Sequence, residues 1–336
     1  MNRQARRWKW SLVRIVLGLL FFFAVSACVL RQPVWTRRPL SPATADPKRL
    51  QEHVRFLSEQ CHPRHYLAHE NQAKALAYIE AKLREAGGRV ERQAFPTSSG
   101  TFENVVAHFG PETGPRYVVG AHFDSCGPQP GADDNASGVA GLLELAALLG
   151  KETALPAHFE LVAYNLEEPP FFAGPHMGSA VHARRLKEAK ADVALMLSLE
   201  MIGYFRDEPD SQSYPAPLMG LMYPSRANYI AIVGKLGQRS VVGRFKAACM
   251  GTADIPIVSI AAPGFVPAID FSDHRNYWNA GWPALMITDT SFLRNPHYHK
   301  STDTPDTLDY RRMSEVVRMV HAGLLEYAKT APRTQD

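Results

Sequence analysis

The chain has 336 residues, 46% of them hydrophobic and 21% charged, with a formal net charge of +4; this is enough apolar material for a large core and excludes a disordered chain. Residues 1–45 carry eight Lys or Arg and no Asp or Glu, which leaves 29 basic against 33 acidic residues in the remainder. The excess positive charge therefore lies beside an apolar run rather than on a folded surface, which excludes a nucleic-acid binder.

That run, Ile15 to Leu30, is uncharged and follows Arg3, Arg6, Arg7, Lys9 and Arg14, the charged-then-apolar order of an export signal. Its length fits a signal core, a lipoprotein leader or a short anchor. Val25-Ser26-Ala27-Cys28 resembles a bacterial lipobox, which would place a lipid on Cys28. Each alternative puts the body outside the cytoplasm, on the periplasmic or extracellular face, with the membrane as a partner through the leader or the lipid. Residues 31–45, with Pro33, Pro39 and Pro42, read as a linker, residues 46–330 as one folded domain and 331–336 as a tail. The remaining cysteines, Cys61, Cys126 and Cys249, form no Cys-x-x-Cys pair and read as small buried hydrophobes.

The domain opens with Asp46 as a helix cap, Pro47 at the first helical position and Leu50, Val54 and Leu57 at helical spacing. A second helix is expected over 72–86, ended by Gly87-Gly88. Short apolar runs follow at 89–95, 102–109, 117–121, 158–164, 193–199 and 284–288, read as strands. Helices are expected between them at 138–149, 178–187 and 227–236, with a last amphipathic helix over 313–329. This alternation predicts an α/β fold in which helices cover both faces of a largely parallel or mixed sheet.

Chemistry-bearing residues cluster where the expected strands end: His122 and Asp124, Glu167 and Glu168, and Glu200. The carboxyl ends of strands are where open α/β sheets build ligand sites. Asp133-Asp134 before an apolar helix and His297-Tyr298-His299 near Asp303 complete the set. Imidazoles and carboxylates without thiolates suit a catalytic zinc site with open positions. Each piece has a plainer reading: a hydrogen-bonded His, a solvated acidic pair, Asp133 capping the helix that follows. Glu200 resists one, because it ends the apolar run Val193–Leu199, where an unpaired carboxylate is costly to bury.

His122-x-Asp124, Gly-Ala-Asp-Asp134-Asn-Ala-Ser-Gly, Glu167-Glu168, Glu200-Met-Ile-Gly, Ser272-Asp273-His274 and Tyr298-His299 before Asp303-Thr304 together resemble the co-catalytic di-zinc peptidases, the twenty-eighth metallopeptidase family. That family includes bacterial leucyl aminopeptidase, aminopeptidase Y and glutamate carboxypeptidase, and the resemblance spans about residues 47–328. It implies a three-layer α/β/α sandwich with a mixed, mostly parallel sheet of about eight strands. It also implies two zinc ions, with Asp134 bridging them, His122 and Glu200 completing one site, and Glu168 and His299 the other. Asp124 would orient His122, Glu167 would be the general base, and Tyr298, or else Tyr277, would donate to the oxyanion.

Most relatives have Asp at the position of Glu200, and His297 competes with His299; the family spacing to Asp303 favours His299. Pro169-Pro170-Phe171-Phe172 follows the acidic pair and predicts a loop at the pocket mouth, its phenylalanines either lining an apolar pocket or anchoring the loop. The function implied is an aminopeptidase acting on peptides with a free N-terminus. Left open are a carboxypeptidase of the same fold, for which Arg275 and Arg294 are the candidate carboxylate binders, a glutaminyl cyclase, and a non-catalytic binding domain.

Overall fold

The computed structural model describes residues 3–330. One eight-stranded sheet runs through it in the order β1-β2-β4-β3-β5-β8-β6-β7. The strands are β1 (Arg89–Thr97), β2 (Gly100–Phe109), β3 (Arg116–His122), β4 (His158–Tyr164), β5 (Val193–Glu200), β6 (Ile230–Lys235), β7 (Ile257–Ala262) and β8 (Ala284–Thr288). The central four, β4, β3, β5 and β8, are mutually parallel; β2 joins β4 and β6 joins β8 antiparallel, β1 pairs antiparallel with β2, and β7 runs parallel to β6. The sheet is therefore mixed, as expected.

The central strands are apolar on both faces because helices cover both. On one side α2 (Pro47–Arg55), α3 (His69–Glu85), α4 (Gly138–Leu149), α6 (Arg239–Cys249) and α8 (Tyr310–Thr330) enclose the main core. On the other, α5 (Gly178–Glu188) and α7 (His274–Ala280) cover Val118, Val162 and Met196. Helix α4 is hydrophobic on every face but for Glu144, which pairs with Arg49 and His53, and is almost wholly buried, which is what a helix between a sheet and an outer helix requires. Leu142 and Leu145 have no exposure, so truncating either to Ala costs about 3 kcal/mol. Helix α2 begins as its sequence predicts, with Asp46 accepting from the backbone N–H of Lys48 at 2.9 Å.

Two expectations are corrected. Residues 227–236 do not form a helix: Ile230–Lys235 are strand β6, zipped between β7 and β8. Tyr229 to Val233 is a continuous apolar run with no period to tell helix from strand, and β-branched Ile230, Ile232 and Val233 fit the pleat. Asp133 does not cap α4. Its carboxylate accepts from the N–H of Gly203 at 3.0 Å and from Asn295 at 2.7 Å, while Asn135 takes the N–H of Gly138.

Helix α1 (Arg3–Arg31) precedes the body. Among the described residues no helix is long and apolar enough to cross a membrane; residues 1–2 of the expected leader and all of the expected tail lie outside the described residues. The segment after α1 is strapped to the body, with Arg38 N–H donating to Met250, Ser41 N–H to Thr252, and Arg318 to the carbonyl of Ala43.

Candidate metal centre

The carboxyl ends of three adjacent strands build the site. His122 ends β3, Glu200 ends β5, and Glu167 and Glu168 follow β4 by a turn through Asn165 and Leu166. Because β3 lies between β4 and β5, His122 is central. Its Nε2 faces Asp134 Oδ1 at 3.4 Å, Glu200 Oε2 at 3.4 Å and Glu167 Oε2 at 3.8 Å. On the other side of Asp134, Oδ2 lies 3.0 Å from Nε2 of His299, which is 3.4 Å from Glu168. Thus all five expected ligands come together, with Asp134 between two donor groups. His297 turns away to Thr302, at 2.9 Å.

Backbone conformation sets these positions. Gly131 lies at φ 59°, and a Cβ there would meet the carbonyl oxygen of Asp134 at 2.3 Å, so only glycine fits the turn that delivers Asp134. Leu166, Met201 and His299 have φ of 61°, 50° and 55°. Non-glycine residues held there store strain, and all three adjoin or are site residues. Asp124 holds the acidic turn, its two oxygens accepting from the N–H groups of Glu167 and Glu168 at 3.1 and 3.0 Å. Nδ1 of His122 lies 3.4 Å from Asp124 without a hydrogen bond.

The electrostatics ask for a cation. Five carboxylates, Asp124, Asp134, Glu167, Glu168 and Glu200, are buried around two imidazoles. Burial, then the charge of Asp134, pushes Glu168 up to about 7, and burial with the charges of Glu168 and Glu200 raises Glu167 well above the carboxylate range. Burial opposes protonation of both imidazoles, yet Glu200 and Glu167 hold His122 well above its ordinary value, and Asp134 with Cys126 and Glu168 raises His299 to about 12. Glu168 Oε1 is buried with no hydrogen-bond partner. Donor atoms of His122, Asp134 and Glu200 lie within 4.8 Å of one another, as do those of Cys126, Glu168 and His299. An orphaned carboxylate oxygen and carboxylates crowded enough to push one another up fit a bound metal here.

The cluster lies at one end of a cleft of about 260 Å³, also lined by Phe172 and Tyr298. Phe172 thus faces the cleft while Phe171 packs against Tyr66 and Phe102, so each expectation for the pair holds for one ring. Tyr298 stacks on His299 at 3.8 Å. Tyr277 is fully buried and its hydroxyl is engaged by Tyr164 and His182. Arg275 stacks over Phe172 and pairs with Asp270, and Arg294 is buried against Gln212 and the carbonyl of Tyr229.

The profile of peptidase family M28 matches residues 104–324. The chain belongs to that family. This M28 chain is 44% identical to YfbL of Escherichia coli K12 over 307 residues, covering 89% of this chain and 94% of that one. It is 26% identical to leucine aminopeptidase 1 of Grosmannia clavigera over 298 residues, 83% of this chain and 67% of that one. Among solved structures, the zinc aminopeptidase BSAP from Bacillus subtilis superposes with a TM-score of 0.67 at 15% identity, covering 87% and 97% of the two chains. Porphyromonas gingivalis glutaminyl cyclase gives 0.62 at 18%, covering 83% and 98%. At such identities these two show the fold, the zinc exopeptidase sandwich the motifs implied.

Sequence reasoning missed two residues that the M28 site brings in. Cys126, four residues after His122, reaches the Glu168–His299 group; its place in the His-x-Asp segment was the available signal. Arg64 is fully buried and donates to the carbonyls of Phe123, Pro130 and Gly131, tying the His122 strand end to the Asp134 turn. Nothing local in the sequence marks it.

Proposed function

We propose that the chain is a zinc-dependent aminopeptidase that hydrolyses peptides at a free N-terminus, its peptidase body spanning residues 46–330. The observation carrying this reading is the lining of the cleft: Asp134, Glu167, Glu168 and Glu200 stand at its inner end, and no Lys or Arg is among the described residues lining it. With zinc bound, the ligand carboxylates serve the metal, and the cleft offers no arginine or lysine to pair with a substrate's terminal carboxylate. The carboxypeptidase alternative needs an arginine or lysine in the pocket, and neither Arg275 nor Arg294 is among the described residues lining it.

His122, Asp134 and Glu200 would hold one zinc ion, and Glu168, His299 and the shared Asp134 a second. Bound there, zinc supplies the positive charge that polarises a carbonyl and makes water a nucleophile near neutral pH. Glu167 is the general base: it takes the proton of the attacking water and delivers it to the leaving amine. Tyr298 donates its hydroxyl to the carbonyl oxygen as negative charge grows there. Burial pushes that hydroxyl above its usual value, which favours the protonated form that donates.

The reading is tested by incubating the zinc-loaded chain with a panel of peptides, free and N-acetylated, including one that begins with Gln, and identifying products by mass spectrometry. Loss of N-terminal residues from the free peptides alone is the expected result. Shortening of acetylated peptides from the C-terminus, or loss of ammonia from the Gln peptide without cleavage, would replace it with a carboxypeptidase or a cyclase.

A further inference from the structure

The cleft continues well past the ligand cluster. From Glu200 at the end of β5 it crosses β8 and β6 to edge strand β7, over Met286, Ala231, Val233, Val258 and Ile260. Three steps between neighbouring strands carry it about 14 Å across the sheet, well beyond the reach of a leucine side chain. Here the sheet is roofed by the loop after β7, through Val266 and Ile269, which leaves an apolar slot between loop and strands. Phe265 of the same loop is 86% exposed.

The polar groups at the far end are already engaged inward. Ser259 Oγ donates to the carbonyl of Arg31 at 2.7 Å, the Tyr223 hydroxyl to the carbonyl of Ser259 at 3.1 Å, and the Tyr214 hydroxyl to the carbonyl of Pro224 at 2.5 Å. A peptide lying there would bury its own N–H and C=O groups without partners, which is costly. A hydrocarbon chain has no such groups to satisfy.

We propose that this slot receives a linear alkyl chain, and that the substrates are amides whose N-terminal aminoacyl residue carries a hydrocarbon of about ten carbons, the number whose extended length fills 14 Å. The inference rests on the aminopeptidase reading for the bond that is broken. Water adds its oxygen to the carbonyl carbon, the C–N bond breaks, and the proton leaves with the amine.

The test uses the full chain loaded with zinc and p-nitroanilides of linear 2-amino acids from norleucine to 2-aminododecanoic acid, below their micelle-forming concentrations. The slot predicts that kcat/KM climbs by about fourfold per added methylene, as for a buried CH₂, until the chain reaches β7. An optimum at leucine or norleucine with decline beyond it overturns the slot and leaves the aminopeptidase standing. If no anilide is hydrolysed the aminopeptidase reading fails instead, and calorimetry decides the slot: 2-aminododecanoic acid binding at least about tenfold more tightly than leucine supports it, and equal or weaker binding overturns it. Val258→Trp, which narrows the far end, should lower the long-to-short ratio of kcat/KM at least about tenfold; an unchanged ratio in a folded variant contradicts the assignment, and the wild-type series decides it if the variant does not fold.

Discussion

Asp134 turns its two carboxylate oxygens to different imidazoles, Oδ1 to His122 at 3.4 Å and Oδ2 to His299 at 3.0 Å. One side chain thereby belongs to both donor groups. Replacing it with Ala should remove metal from both positions, so that zinc measured by atomic absorption falls from about two ions per chain to near zero. His299→Ala, which touches one group, should retain about one. Equal metal content in the two variants would show that Asp134 does not bridge.

The peptide groups that carry Asp134 are held from the opposite side. Asp303 accepts from the N–H of Asp133 at 2.9 Å and from that of Asp134 at 3.1 Å. Asp303→Asn sets an amide where one of those donors needs a carboxylate oxygen, and zinc affinity should weaken by about 10- to 100-fold. Competition with a chelator of known affinity measures this directly.

Cys126 is half-buried with its sulfur among the donor atoms of Glu168 and His299, whereas Cys61 and Cys249 are buried. Bound metal should shield it. In a Cys28→Ser background, alkylation of Cys126 followed by mass spectrometry should be several-fold slower with zinc than after chelation; equal rates would place the sulfur outside the metal's surroundings.

Much of this arrangement was legible in the residue order, for a physical reason. Strands β3, β5 and β8 are largely apolar runs, and β4 is one broken by Glu160, so their limits fall within about two residues of those expected, and the ligands stand at or just past the ends of β3, β4 and β5. What was not legible depends on pairing and distance. Strand β6 has no period to separate it from a helix until β7 and β8 flank it, β7 is too short and mixed to stand out, and Arg64 acts on carbonyls about 60 residues away in the chain. The cap expected from Asp133 failed because Gly203 and Asn295, remote in sequence, compete for its oxygens.

Away from the cleft, Glu160 on β4 is buried between His182 at 2.7 Å and Arg116 at 2.5 Å. Burial alone would raise its carboxyl, but His182 and then Arg116 outweigh it and bring it down to about 2, from an ordinary 4.5. A carboxyl depressed by folding adds stability that is present above its unfolded value and lost as pH falls through its folded value. Here that is about 3 kcal/mol lost between about pH 4.5 and pH 2. Urea unfolding at pH 6 and pH 3 should show Glu160→Gln lacking this share of the acid sensitivity; a variant as acid-sensitive as wild type would show that the ion pair does not contribute.

Kinetics of Glu167→Gln on a free-amine peptide, with zinc content measured on the same sample, give the most direct test of the proposed chemistry. Gln keeps the size of the side chain and removes its ability to take a proton, so kcat should fall by about 10²- to 10⁴-fold while KM and zinc content stay at wild-type values. A kcat within about threefold of wild type at full zinc content would contradict the assignment of Glu167 as the base, and with it the mechanism built on this site.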